Sequence, residues 1–324
     1  MSTNGSFHGP LKVFGCNAGS DFTDAVCALL DVERGKALVG QFNDGEVRVR
    51  VDEDVRGADA FVINPTSQPE RNFTELKRLC SALRSSAVGR LTVVIPYLGY
   101  ARQERSKKNR EALSAQDVIR EIMLCEPSHV VLLDIHAAEL VANFRPAITS
   151  HLFSALQTMP YLEELFSIKR KEIVVASPDA GGVARARKYM EMLGFENLVF
   201  FHKHRDKPGE VEEVRLVGKI RDKHLLLVDD LADSLNTLDG CANLAKEEGA
   251  KSITAILPHG VFSPGAIERL EASHIDQLII TDSIPITPEV MACEKISVIS
   301  VTPLFAKAIR RVHDGRSMSD LFLG

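Results

Sequence analysis

Short runs of valine, isoleucine and leucine recur along the chain, and longer amphipathic stretches separate them. The runs fall at 11–16, 37–42, 60–64, 91–97, 130–135, 172–177, 198–202, 225–228, 252–257, 277–281 and 296–301. Many are apolar throughout rather than alternating, as expected of parallel strands covered on both faces. The intervening stretches at 22–30, 71–85, 114–125, 183–193, 237–248 and 265–272 carry helical periodicity. Strand and helix in alternation predict an α/β fold with mainly parallel sheets flanked by helices. With 324 residues, the chain can build two cores of about 150 residues each. The softest boundary lies near 146–170, where Pro146, Pro160 and Lys169-Arg-Lys-Glu172 interrupt the pattern. Two domains are therefore expected, 1–155 and 156–324. One stretch breaks the rhythm: Asp44-Gly45 precedes the alternating Val47-Arg-Val-Arg-Val51. It reads either as a hairpin or as a single edge strand.

Composition excludes several functions. Net charge is -5, which argues against non-specific nucleic-acid binding. The chain has no Trp and 4 Tyr, too few for base-stacking platforms. Its 6 cysteines are spread without a CxxC, so buried reduced thiols are expected and no zinc site is spelled out. The first ten residues are polar and do not resemble a secretory signal. No apolar run approaches the ~18 residues of a membrane span. A cytoplasmic location follows as an expectation.

The chemistry concentrates where strands end. His224-Leu-Leu-Leu-Val228 runs into Asp229-Asp230-Leu-Ala-Asp233-Ser234-Leu235-Asn236-Thr237, and a helical pattern starts at once. Acids at the C-terminal end of a buried strand sit where open α/β sheets bind ligands. A helix N-terminus just beyond favours phosphate. The plain alternative is a capped strand-to-helix turn. Ile95-Pro-Tyr97 leads into a loop holding Arg102, Gln103, Arg105, Lys107, Lys108 and Arg110, a cation density suited to polyphosphate. Asp134-Ile-His136 ends another strand, and Ser177-Pro-Asp179-Ala-Gly181-Gly182 ends the next before a helix bearing Arg185 and Arg187. Lys203 and Arg205 alternate on one face of a segment leaving a strand, placed to close over a transferring phosphoryl group. Neither a P-loop nor a strand-borne G-x-G-x-x-G occurs.

Together these blocks resemble the ribose-phosphate pyrophosphokinase (PRPP synthetase) family. The carrying residues are Phe42-Asn-Asp-Gly-Glu46, Ile95-Pro-Tyr-Leu-Gly-Tyr-Ala-Arg-Gln-Glu-Arg105, Asp134-Ile-His-Ala137, Ser177-Pro-Asp-Ala-Gly-Gly-Val-Ala-Arg-Ala-Arg187 and Val228-Asp-Asp-Leu-Ala-Asp233, in the family's order. The resemblance implies two phosphoribosyltransferase-like α/β domains, with a C-terminal helix near 305–312 packing back on the first. It implies transfer of the diphosphoryl unit of ATP to the C1 hydroxyl of ribose 5-phosphate, with Mg²⁺, giving AMP and PRPP. By position, Phe42, Asp44, Gly45 and Glu46 match an adenine-holding hairpin, and Arg102 and Gln103 an ATP-contacting pair. His136 and Asp179 match Mg²⁺-linked positions, and Lys203 and Arg205 the catalytic loop cations, with Arg205 also toward ribose 5-phosphate. Asp229 and Asp230 match acids facing the ribose hydroxyls. Asp233, Ser234, Leu235, Asn236 and Thr237 match the 5-phosphate loop. The family also implies a dimer-based homo-oligomer, up to a hexamer, with no nucleic-acid or membrane partner.

One block departs from the pattern. Where the family commonly has Asp-Thr-Gly-Gly-Thr, this chain has Asp233-Ser-Leu-Asn-Thr237. Asn236 tolerates left-handed backbone angles, whereas Leu235 does so only at a cost, and its side chain must avoid the phosphate. Weaker ribose 5-phosphate binding is the expectation. The departure also keeps open a non-catalytic regulatory subunit that joins active ones. A phosphoribosyltransferase that consumes PRPP would share the sugar-phosphate loop but has no use for the Phe42–Glu46 and Arg102-Gln103 blocks.

Overall fold

The computed structural model describes residues 8–106, 109–167, 172–204 and 213–321. The chain forms two compact units. The first takes everything through Ser154 together with Ser283–Pro285 and the chain from Val301 on; the second takes Ala155–Asp282 and Ile286–Ser300.

In the first unit, β1 (Leu11–Gly15), α1 (Ser20–Leu30), β2 (Ala37–Gln41), β3 (Val47–Val51), β4 (Asp59–Ile63), α2 (Arg71–Ser85), β5 (Arg90–Ile95), α3 (Ser114–Met123), β6 (His129–Leu133) and β7 (Ile148–Leu152) follow in order. Strands β1, β4, β5, β6 and β7 form a parallel sheet in that spatial order. Its central strands are buried along nearly their whole length, which accounts for their unbroken apolar runs. The residues left ambiguous in sequence form an antiparallel hairpin, β2 with β3, paired from Ala37↔Val51 to Gln41↔Val47.

The second unit contains α4 (Ala155–Leu165), β8 (Ile173–Ser177), α5 (Val183–Leu193), β9 (Leu198–His204), β10 (Glu213–Val217), β11 (His224–Val228), β12 (Leu231–Ala232), α6 (Asn236–Glu247), β13 (Ser252–Gly260), α7 (Ala266–Ala272), β14 (Gln277–Thr281), α8 (Pro288–Ala292) and β15 (Ile296–Ile299). The sheet order is β10-β9-β8-β11-β13-β14-β15, with β12 on β13. Among the described strands of this sheet, only β10 runs antiparallel, against β9. From β8 the chain moves outward to β9 and then returns to place β11 on β8's other side. The strand order therefore reverses between β8 and β11, and such a reversal opens a crevice at the carboxyl ends of the two strands.

Helix α9 (Thr302–Asp314) belongs to the first unit. Pro303 suits its first turn, and Gly315 ends it in a left-handed conformation, φ 64°. It packs on α1 through Phe305 against Phe22, edge to face at 5.3 Å between centroids, and Arg310 donates to the Leu30 carbonyl at 2.6 Å. At its end, Arg90 grips the fully buried Asp59 with Nε–Oδ1 2.7 Å and Nη2–Oδ2 2.5 Å. His313 Nδ1 lies 2.7 Å from the same Oδ2, and Arg90 also donates to the Val312 carbonyl. This node joins the N-terminal ends of β4 and β5 to α9.

The stretch around 146–170, which looked irregular in sequence, carries β7 and α4. Pro160 lies inside α4, which still buries Ala155, Thr158, Met159 and Leu162. Their burial outweighs the single backbone donor that proline removes. No helix among the described residues is long and apolar enough to cross a membrane.

Candidate active site

The crevice between β8 and β11 is built from three loops. After β8, Ser177 Oγ donates to the Asp179 carbonyl at 2.7 Å, and Asp179 Oδ1 accepts the Gly182 amide at 2.8 Å. The turn needs its glycine, since a Cβ on Gly182 would meet Ser177 Oγ at 2.6 Å. After β11, Asp229 and Asp230 stand side by side, and the Asp230 amide donates to Asp229 Oδ1 at 2.9 Å. From α5, Arg185 Nη1 reaches Asp229 Oδ1 at 3.2 Å and Asp230 Oδ1 at 3.4 Å. Burial, and then the neighbouring Asp230 charge, push the Asp229 carboxyl up to about 7, with Arg185 opposing the rise. The acid pair thus holds more negative charge than its surroundings easily stabilise, and hydroxyl donors or a cation would relieve it. Arg185 is the residue that sequence reasoning undervalued. Its position on the first turn of α5 after a glycine pair was the available signal.

The next loop turns into α6. Leu235 takes the left-handed conformation, φ 60°, ψ 5°, and Asn236 is the first residue of the helix. The expectation that Asn236 would carry the left-handed turn is thus corrected. Leu235 is buried in the core of the second unit with Leu238, Cys241 and Ala242, and this anchoring offsets its backbone cost, about 1–2 kcal/mol. Its side chain points into that core, so the loop's other face is left to Ser234 and the helix N-terminus. No side-chain hydrogen bond caps α6. Arg269 Nη1 donates to the Ser234 carbonyl at 2.5 Å and fixes the loop from α7.

In the first unit, the hairpin tip is Phe42–Glu46. Gly45 has φ 92°, the Phe42 amide donates to the Glu46 carbonyl at 2.8 Å, and the Glu46 amide donates to Asp44 Oδ1 at 3.0 Å. Phe42 is half exposed, with Arg48 over its ring at 5.3 Å. The loop after β5 is tethered where Gly99 donates to Thr66 Oγ1 at 2.8 Å, and a Cβ there would strike the Thr66 carbonyl at 2.3 Å. Arg102 and Gln103 follow, both exposed, and the Ala115 amide of α3 donates to the Gln103 carbonyl at 3.4 Å. After β6, Asp134 has φ 38° and accepts the Ser154 amide at 2.9 Å; His136 is exposed at the same sheet end. Because β5 and β6 are adjacent and parallel, Arg102, Gln103 and His136 lie at one carboxyl edge. Asp179, Asp229, Asp230 and the 233–237 loop lie together at the carboxyl edge of the other unit. Lys203 is on β9, but its side chain and all of Arg205 lie outside the described residues. Among those residues, no three His, Cys, Asp or Glu side chains gather into a preformed metal cluster.

Comparisons with known proteins point one way. Residues 11–125 match the N-terminal domain of ribose phosphate pyrophosphokinase, and residues 190–323 match the phosphoribosyl synthetase-associated domain. The ribose-phosphate pyrophosphokinase of Hyphomonas neptunium is 37% identical over 313 residues, spanning 96% of this chain and 99% of that protein. That of Clostridium tetani is also 37% identical, over 96% and 97% of the two chains. The crystal structure of phosphoribosylpyrophosphate synthetase from Mycobacterium smegmatis superposes with a TM-score of 0.89 at 32% identity, covering 94% of this chain and 99% of the other. Likeness that runs through both units and nearly the full length of these relatives makes the chain a member of the ribose-phosphate pyrophosphokinase family.

Proposed function

We propose that the protein transfers the diphosphoryl group of ATP to the C1 hydroxyl of ribose 5-phosphate, releasing AMP and PRPP. The observation that carries this reading is the site between β8 and β11. An acid pair under charge strain lies next to an uncapped helix N-terminus, and both ends of a phosphorylated sugar are served. Asp229 and Asp230 accept from the ribose hydroxyls, and Ser234 through Thr237 with the α6 amides hold the 5-phosphate. Phe42, Asp44, Gly45 and Glu46 hold the adenine, and Arg102 and Gln103 the polyphosphate. The sugar oxygen attacks the β-phosphorus in line, the bond to the α-phosphate oxygen breaks, and AMP leaves. Lys203 and Arg205 neutralise charge gathering on the transferred group.

Asp179 suits a hard cation: its carboxylate is exposed, and Oδ1 is the atom held by the Gly182 amide. Mg²⁺ takes one or two carboxylates and leaves its other positions to water and phosphate oxygens; Asp179 and His136 are the positions that the family resemblance links to Mg²⁺. The ion would neutralise phosphate charge during transfer. The exposed hairpin tip, with Phe42 half open to solvent, supports an ATP site completed by a neighbouring copy in a dimer-based homo-oligomer, up to a hexamer, in the cytoplasm. The regulatory-subunit alternative loses ground because the full-length relatives carry the catalytic name.

The test is AMP release from ATP and Mg²⁺ with and without ribose 5-phosphate. AMP and PRPP should appear in equal amounts, and only with the sugar. No AMP above background would sink the proposal. Lys203→Ala should cut turnover at least ~100-fold while leaving nucleotide affinity within a few-fold.

A further inference from the structure

The hairpin of β2 and β3 forms a sheet of its own, and a lone two-stranded hairpin is marginally stable in water. Val39, Val49 and Val51 pack its base on the first unit's core. Gln41 and Phe42, at the tip end of β2, are exposed. What orients the tip begins at Glu75 on α2, whose side chain is fully buried. A buried carboxylate has to be met by donors. The Asn17 amide donates to Oε2 at 3.1 Å, and Asn17 Nδ2 donates to Oε1 at 2.8 Å. Arg71, one turn earlier on α2, places its Nε 3.3 Å from the same Oε1.

Two arms lead from this carboxylate to the hairpin. Asn17 Nδ2 also donates to the Val39 carbonyl on β2 at 3.3 Å. Arg71 Nη1 donates to Gln41 Oε1 at 3.0 Å, and Gln41 Nε2 donates to the Gly45 carbonyl at 3.0 Å. The Gln41 amide is thereby held in one orientation, oxygen toward Arg71 and nitrogen toward the turn. A guanidinium suits this task because its donors form a rigid planar fork, which a lysine ammonium lacks. Within the turn, the Gly45 amide donates to the Phe42 carbonyl at 3.0 Å, so the relay ends on the residue that closes the loop behind Phe42. The pair of Arg120 with Asp117 is different. Both partners are largely solvated, and such a pair fixes little.

We propose that Glu75, acting through Arg71 and Gln41, is the positioning residue of the hairpin tip and sets Phe42, Asp44 and Glu46 in place before the nucleotide arrives. This rests on the reading that the tip holds adenine. A loop ordered beforehand does not charge its ordering entropy to binding. The relay acts on the tip and not on the reacting phosphates, so cutting it weakens ATP binding and leaves ribose 5-phosphate binding and turnover alone. Gln41 and Arg71 are both exposed, so the relay can be cut from the solvent side without opening the core.

Gln41→Ala, Arg71→Met and the double variant test this, with Arg120→Met as the control. In each relay variant, KM for ATP should rise about tenfold while kcat and KM for ribose 5-phosphate stay within about twofold. The double variant should be no worse than Arg71→Met by more than about twofold, because both changes cut one chain of contacts. Glu75→Gln should behave as Arg71→Met does; if that core variant fails to fold, the two exposed variants decide alone. Hydrogen exchange without nucleotide gives a second readout. The Phe42 and Gly45 amides should exchange at least ~5-fold faster in the relay variants and unchanged in Arg120→Met. Unchanged exchange at the tip overturns the relay, whatever the activity of the enzyme. Faster exchange with an unchanged KM for ATP also overturns the proposal, and traces the failure to the adenine reading of the tip. An equal rise in both KM values would mean general loosening and overturns it as well.

Discussion

Two arginine–carboxylate clusters in this molecule sit at opposite ends of their strands and obey different rules. At the N-terminal ends of β4 and β5, Asp59 is fully buried, Arg90 takes both of its oxygens, and His313 adds a third contact. At the C-terminal ends of β8 and β11, two acids share Arg185 at 3.2 and 3.4 Å, and Asp229 is held up near neutrality. The first cluster has as much positive as negative charge aimed at its carboxylate and needs nothing from outside. In the second, two carboxylates share the Arg185 guanidinium, and burial with the neighbouring charge still holds the Asp229 carboxyl up to about 7. A saturated ion pair marks structure, and an under-compensated one marks chemistry.

Exchanging the acids one at a time should break that contrast most visibly. Asp59→Asn leaves Arg90 without a buried counter-charge and should lower unfolding free energy by about 3 kcal/mol. Denaturant melts would measure the loss, and kcat of the folded fraction should stay within about twofold. Asp229→Asn should do the reverse, costing ~100-fold or more in kcat/KM for ribose 5-phosphate with stability at pH 7 unchanged or higher. A large stability loss at Asp229 with activity intact would reverse the assignment of the two clusters.

Leu235→Gly sharpens the picture beside the acid pair. It removes a buried side chain worth roughly 2–4 kcal/mol and relieves about 1–2 kcal/mol of left-handed strain, leaving a net loss of about 2 kcal/mol. Because the side chain points into the core, KM for ribose 5-phosphate should move less than about threefold. A tenfold fall in KM would instead mean that the leucine obstructs the phosphate.

The smallest effect is in the pH dependence. Asp229 titrates near 7 when folded, against an ordinary value of 3.8, so between these values the folded chain holds more protons than the unfolded one. Its contribution to stability is full below about pH 4 and is lost as pH rises through 7. With 26% of the side chain exposed, solvent screening limits the change to about 1–2 kcal/mol. Subtracting the Asp229→Asn melt from the wild-type melt should show this decline between pH 4 and 7.5, and a flat difference would refute it.

The strand ends were readable in sequence because a parallel strand is an apolar run, and its loop begins with whatever polar residues follow. Asp179, Asp229 and His136 announce themselves in this way. Arg185 does not, because its pairing with Asp229 spans 44 positions and arises only when β8 and β11 become neighbours. Arg269 is hidden for the same reason, since it meets the Ser234 carbonyl from another helix. Leu235 misled for a different reason. Its intrinsic backbone preference favours other angles, and only the core beneath it overrules that preference. Pro146 and Pro160 suggested irregular chain, although β7 and α4, on either side of the division between Ser154 and Ala155, are regular.

The return of α9 to the first unit fixes an order of events during synthesis. Helix α1 leaves the ribosome early, yet Phe305 and Arg310, which cover Phe22 and hold Leu30, emerge only after every residue of the second unit. At cellular translation rates the delay is on the order of tens of seconds. The half made first is therefore the half finished last, and through that interval Phe22 lacks the Phe305 ring that later packs on it.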